Sequence, residues 1–534
     1  KCFISSKMFF TFTNMKSIGI LFCLVGGLAF CQVNLTSSSL PIVKITTPPG
    51  QQINDLTRIV CDMGVIDNSS GLNLITDPVN NYSGKIAIEI RGSTSQQYPK
   101  KSYGFETQTL LGTNNNVSLM GLPIENDWIL NGPYPDKTLL RDALTYNLSR
   151  KMGHYASRFR FCELLIDNQY LGVYLLLERI KRDNNRVNIA TVDPDDLAGD
   201  SLTGGYIIKV DKLTGESGTT WNSNYSNEVV FQFHDPESDE LQAQQIAYIT
   251  SYVSNFEQAI QANPEGAYLQ WIEPISFYDF FILQELGRTV DGYRSSSFMY
   301  KDKNSGDFQG RLVAGPMWDF NLSYGNADYC DAFLTTGWQY NFDQICNFTT
   351  QIPFWWNRLL DAPSYRNGLR CRWEELRQGP LHTDSINYWI DSMALELQDA
   401  RIRNFIQWPI IGEYVNWNAF VGNTYEEDVD FMKNYISERA IWLDQNIQGT
   451  CNASIASESQ EPTIRVFPNP TDNWLSVTSN MPGKLIIHDA FGNITTDTDN
   501  ITLVINNNPS AGTLSGTAVQ AAIAGTATFN DIQI

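Results

Sequence analysis

The spacing of apolar residues changes along this chain, and that change bounds what it can fold into. Short β-like runs fill the front: residues 40–46, 85–91 and 102–107. The alternation Lys85-Ile86-Ala87-Ile88-Glu89-Ile90 predicts a half-buried strand. Residues 139–152 predict a helix that Gly153 stops. Residues 160–167 and 171–178 flank Asp167-Asn168-Gln169, a hairpin signal, and 203–210 predict a further strand. From about residue 238 the spacing turns helical, most clearly over 241–262 and 275–286. A second strand pair follows, and then mostly helical sequence from 354 to 447. Strands first and helices later predict an α+β fold with a sheet-rich front and a helix-rich back. The main region shows no internal repeat.

A chain of 534 residues exceeds one ordinary domain. Hydrophobic residues at 42%, with 13 Trp, 24 Tyr and 28 Phe, supply a packed core and exclude a mainly disordered chain. A formal charge of −21 excludes a general nucleic-acid binder, though it leaves room for one local basic cleft.

At the N-terminus, Met15 and Lys16 precede an apolar run, 18–30, with a cleavage point beside Cys31-Gln32. The run is too short for a membrane span and fits an export signal, so residues 1–31 are expected to be upstream residues plus signal peptide. A buried strand or a lipoprotein-type anchor at Cys31 are the alternatives. Six cysteines remain beyond it, as an exported chain with disulfides would have, and Cys330 and Cys346 form the expected local pair. No CxxC or Cys/His cluster is present, so no ligand spacing points to a structural zinc site. The main domain is expected over 40–450 and a polar linker over 451–463. A β segment is expected over 464–534.

Chemistry concentrates between Glu285 and Tyr324. Residues 295–301 and 311–318 are strand-like, joined by the turn-rich 302–310. A hairpin centred near residues 306 and 307 sets position 294 opposite 319, so Asp291 and Asp319 share one mouth. Two close acids suit phosphoryl transfer: one holds Mg²⁺ on nucleotide phosphates, and the other orients a hydroxyl and accepts its proton. Asp319 suits the metal role, with Asn321 adding a hard oxygen two residues on, and Asp291 suits the hydroxyl. Without further information, Asp291-Gly292 also reads as an ordinary turn and Asp319 as a helix cap or structural cation ligand. Trp355, Trp356 and Trp373 invite a sugar-binding reading, but aromatics at helical spacing belong more often to a core.

The run from Asp291-Gly292-Tyr293-Arg294 to Trp318-Asp319-Phe320-Asn321 resembles the catalytic segment of the CotH (spore coat protein H) kinase family. Three upstream motifs match in order: residues 90–95 with 98–103, 126–132 and 172–178. The resemblance implies an atypical, two-lobed protein-kinase-like fold that uses ATP with Mg²⁺ or Mn²⁺ to phosphorylate Ser/Thr hydroxyls, here of secreted or envelope proteins. It makes Asp291 the catalytic acid and Asp319 the metal ligand, with Asn321 where many relatives carry a second Asp. Lys100 or Lys101 would neutralise phosphate, and the turn through Arg91 and Ser93 would present backbone N–H groups. Glu178 would pair with that lysine. Arg141 and Arg294 are further candidates for phosphate or the acids. Residues 466–470 and those following resemble the opening of a type A sorting domain of type IX secretion, and 512–534 the end of an immunoglobulin-like repeat. A non-catalytic surface or adhesion protein of the same fold is the alternative function, and a hydrolase using the acid pair a third.

Overall fold

The alternating runs of the front half close into a barrel in the computed structural model, which describes residues 33–451 apart from 215–217 and 307, and five short strands farther on. Its strands are β1 (Ile42–Thr46), β2 (Ile59–Ile66), β3 (Tyr82–Arg91), β4 (Ser102–Gln108), β5 (Asp127–Asn131), β6 (Phe159–Ile166) and β7 (Gln169–Glu178). They run in the order β1-β2-β3-β4-β5-β7-β6, and β6 pairs in parallel with β1, Ile42 opposite Glu163. Closure removes the open edges that would otherwise recruit other chains. The inward residues, among them Val43, Ile45, Ile86, Ile88, Phe105 and Leu164, form the barrel core. Each such side chain contributes about 1.5–3 kcal/mol on burial. The predicted β6–β7 hairpin is present, and Asp167 and Asn168 take φ of 50° and 62°, a conformation these residue types tolerate.

A second sheet comprises β8 (Tyr206–Val210), β9 (Thr220–Ser223), β10 (Ser226–Asp235), β11 (Ser297–Lys301) and β12 (Leu312–Ala314). It is antiparallel, in the order β9-β10-β8-β11-β12. Helix α1 (Arg141–Lys151) follows the barrel strand β5. The back half carries α2 (Ala243–Ala262), α3 (Pro264–Trp271), α4 (Pro274–Gly287), α5 (Pro363–Arg377), α6 (Thr383–Glu396), α7 (Ala400–Gln407) and α8 (Tyr425–Asn446). The α+β architecture read from the spacing is therefore the one observed.

Helix α4 is the axis of the back half. Its sequence is apolar on every side, and its residues are buried from Ser276 through Gly287. Glu273 caps its start, accepting the Ser276 N–H at 2.6 Å, and Pro274 sits where a missing N–H costs nothing. It ends at Arg288, whose φ of 45° turns the chain out of the helix and into the segment bearing Asp291.

Cys330 pairs with Cys346 as expected, and Cys371 with Cys451. Cys61 and Cys162 are free and buried. Trp355, Trp356 and Trp373 lie in the core, which settles their role as packing. No helix among the described residues is long and apolar enough to cross a membrane. The export signal lies outside the described residues, as does most of the sorting-like segment; past residue 451, Thr463–Val466, Lys484–Ile487 and Thr526–Thr528 form one small sheet.

Candidate active site

Strands β11 and β12 pair with Met299 opposite Ala314 and Lys301 opposite Leu312. This is the predicted register, in which position 294 faces 319. Asp291 and Asp319 consequently stand at the same end of the hairpin, close enough for the charge of Asp291 to raise the affinity of Asp319 for its proton.

Asp291 sits in the turn after α4. Ser295 N–H donates to its carbonyl at 2.9 Å, and Arg294 Nη2 donates to its Oδ1 at 3.1 Å. Arg294 is itself held by the Val290 carbonyl (2.8 Å) and lies 3.4 Å above the Phe348 ring. Gly292 is required here, because a Cβ would fall 2.0 Å from Gln339 Nε2 and 2.1 Å from Gln284 Oε1. Below the turn, fully buried Glu285 accepts from Arg439 (3.0 Å), the Gln339 and Tyr340 N–H groups and the Tyr293 hydroxyl. The ion pair is satisfied on every side, as a buried pair must be to persist.

Asp319 has a left-handed backbone, φ 65°. Its N–H donates to the Tyr146 hydroxyl at 3.2 Å, and the next N–H, of Phe320, donates to Asp142 Oδ1 at 2.7 Å. Both acceptors lie on α1, which thus fixes the turn. Tyr146 also stacks on Trp318, with centroids 5.7 Å apart. Burial, then the charges of Asp142 and Asp291, push the Asp319 carboxyl up to about 7; Lys212 opposes them and Asp211 adds to them. Burial likewise raises Asp142 to about 6. Asp291 has Arg294 beside it, but Asp319 and Asp142, both raised by burial, mark a place that would gain from a cation.

A basic group faces them. Arg91, at the end of β3, lies 5.4 Å over the Trp318 ring, and burial, then Arg179, lower its guanidinium to about 10. Arg179, Lys209 and Arg91 also surround His234, which burial and these cations hold neutral, down to about 3. Cations beside acids are what a metal-bound polyphosphate requires.

The remaining predicted residues lie elsewhere. Ser93 opens the single turn Thr94–Gln97. Lys100 turns into the fold, donating to the Val173 carbonyl at 2.6 Å and to Asn404 Oδ1 at 2.9 Å. Lys101 donates to the carbonyls of Gln96 and Tyr98. Glu178 pairs with Arg158 at 2.8 Å, so the expected lysine pairing is not the one formed. Arg141 is occupied by Asp136 and the Ser323 carbonyl. Both lysines lie in the irregular stretch before β4, where no strand alternation fixes a direction, so the sequence could not say which would find which partner. Asp142, Arg179, Lys209 and Lys212 were missed; Asp142 reads as a routine acid in a helix's first turn, and the others carry no motif.

The family model of the CotH kinase proteins matches residues 88–443. The chain belongs to this family. No curated protein matches the sequence. Among solved structures, a Helicobacter pylori proinflammatory kinase, CtkA, is 10% identical, covering 62% of this chain and 94% of that chain with a TM-score of 0.21, a likeness too loose to carry an argument. Membership of a CotH kinase family makes this a kinase-like protein, and such a family implies ATP, a divalent metal and protein substrates.

The residues fit a metal of the magnesium type. Asp319 and Asn321 supply hard oxygens, and Mg²⁺ commonly takes one or two side chains together with water and substrate phosphate. No group of three His, Cys, Asp or Glu side chains among the described residues is gathered to hold a metal unaided. Asn321 Nδ2 donates to Asp319 Oδ1 at 2.7 Å, so its amide must rotate to present oxygen.

Proposed function

We propose that this chain is an exported protein kinase that transfers the γ-phosphoryl group of ATP to Ser or Thr hydroxyls of secreted or envelope proteins. The observation that carries the reading is the β11–β12 register, which sets Asp291 and Asp319 at one mouth beside Asp142 and opposite Arg91.

In this reading Asp291 orients the acceptor hydroxyl and takes its proton as the oxygen attacks the γ-phosphorus, while the bond from that phosphorus to the β–γ bridging oxygen breaks and ADP leaves. Arg294 holds the Asp291 carboxylate in place. Arg91, with Arg179 and Lys209 behind it, draws the polyphosphate to the cleft and offsets its charge. Asp319 and Asn321 would hold Mg²⁺ or Mn²⁺, which supplies charge neutralisation on the phosphates. Export rests on the N-terminal apolar run and on the disulfide bonds, which persist in oxidising compartments.

One observation favours a second reading, a kinase-like surface protein with little turnover. Asn321 brings no charge to the metal position, and its amide nitrogen is the atom facing Asp319. Transfer from labelled ATP with Mg²⁺ or Mn²⁺ separates the two. The kinase reading expects incorporation that falls at least about 100-fold in Asp291→Asn and Asp319→Ala. Nucleotide binding without incorporation would favour the second reading, and neither binding nor incorporation would remove the kinase reading.

A further inference from the structure

The far end of the same hairpin carries a second recess. Strand β11 lies between the two: Asp291 precedes its start at Ser297 and Lys301 ends it, so the recess stands at the opposite end of a five-residue strand about 13 Å long. Its cavity volume is 210 Å³, below the roughly 300–1,000 Å³ of pockets for drug-sized ligands, which suits one ring-sized unit. Tyr248 and Tyr252 of α2 and Trp271 at the end of α3 form its aromatic wall, with Trp271 edge-on to Tyr252 at 5.0 Å.

Several polar groups of the recess are unspent, although the Tyr252 hydroxyl donates to the Trp271 carbonyl at 2.8 Å. Gln270 and Gln309 make no side-chain hydrogen bond among the described residues, nor do the Tyr248 hydroxyl and Trp271 Nε1. Asn304 Oδ1 accepts from Gly310 N–H at 2.9 Å, which leaves its Nδ2 available. Amide groups donate and accept together, which matches the hydroxyls of a sugar. Aromatic faces match its C–H surface.

Lys301 decides the charge of the ligand. It is 1% exposed, and its ammonium donates to the carbonyls of Thr203 and Asp302 while lying 4.9 Å from the Tyr252 centroid and 5.5 Å from that of Tyr248. No carboxylate among the described residues forms an ion pair with it. Both hydrogen-bond partners are neutral carbonyls, and burial lowers the ammonium to about 8 against the opposing charge of Asp302, so an incoming anion would stabilise it. We infer that this recess binds a sugar acid, with the carboxylate directed to Lys301, the ring against Tyr248 and Trp271, and the hydroxyls on Gln270, Asn304 and Gln309. Such a site would hold the protein on an acidic polysaccharide independently of its phosphotransfer chemistry.

The test uses the full chain, with tryptophan fluorescence and saturation-transfer NMR read against galacturonate, galactose and glutamate. Galacturonate is expected to bind saturably and roughly tenfold more tightly than galactose, the worth of one charged hydrogen bond. Trp271→Ala should abolish both signals, and Lys301→Met should reduce galacturonate to the galactose level. Gln309→Ala, at an exposed position, should weaken both sugars without changing the thermal midpoint, which keeps the test decisive should Lys301→Met fail to fold. Asp291→Asn should bind as wild type does. Absence of saturable galacturonate binding would overturn the inference. So would unchanged affinity in Trp271→Ala and Gln309→Ala, or glutamate binding as tightly as galacturonate.

Discussion

Asp142 Oδ1 accepts the Phe320 N–H at 2.7 Å, so a buried carboxylate on α1 holds the backbone that presents Asp319. The acid therefore has two effects: it anchors a turn, and its charge raises the neighbouring carboxyl. Substitution can separate them. Asp142→Asn keeps an acceptor and should preserve the fold. Asp142→Ala leaves a buried N–H without a partner and should cost about 1–3 kcal/mol. Urea unfolding of the two variants checks this, and equal midpoints would show that the contact does not hold the turn.

Arg294 should matter through position. Its guanidinium bridges Asp291 Oδ1, the Val290 carbonyl and Thr350 Oγ1 (3.0 Å). Arg294→Met should lower kcat on the order of 10–100-fold with a smaller change in KM for ATP, since displacement of a base by about 1 Å has effects of this size. Arg294→Lys should recover part of the loss. A change confined to KM would move Arg294 from positioning to binding.

Lys100 gives a stability that depends on pH. Burial pushes its ammonium down to about 7, whereas an unfolded lysine titrates near 10.4. Between these values the unfolded chain binds more protons than the native one, so this group makes stability rise with pH across the window and adds nothing to the slope below about 7. Lys100→Met should flatten that rise. Thermal midpoints between pH 7 and 10 test it, and identical slopes for variant and wild type would refute it.

The Cys330–Cys346 bond closes a loop beside the site, for Tyr329 feels the charges of Asp291 and Arg294, and Phe348 lies under Arg294. Loop-closure entropy for a span of 16 residues is worth about 3 kcal/mol. The Cys330→Ser/Cys346→Ser variant should lose up to that stability and lose activity beyond what the change in folded fraction explains. Phosphotransfer measured well below the melting point separates the two effects.

The hairpin was legible because its information is local. Two alternating runs around a turn-rich centre fix a register, and the register brings Asp291 to Asp319. The β6–β7 turn and the Cys330–Cys346 pair are local in the same sense. The barrel's closure was not legible, because Ile42 meets Glu163 across more than a hundred residues and nothing in either run names the other. Lys100 shows the same limit at a single residue. Its partner Asn404 lies 304 positions away, and only the docking of α7 on the barrel turns that ammonium inward. Asp142 joins the site only once α1 is placed, and Arg91, expected there for its backbone, brings its guanidinium over Trp318 only once β3 is placed. The acids could be read as a pair, whereas the cluster of charge around them required the fold.

The second disulfide joins Cys371, in the middle of α5, to Cys451, beyond the end of α8, and the chain continues for a further 83 residues. A pull from that side meets the covalent bond before it can peel α8 away turn by turn. Tension passes directly to α5, which packs against the central α4. A load applied from that side would therefore enter the core through the α5–α4 contact, with α8 bypassed by a covalent bond.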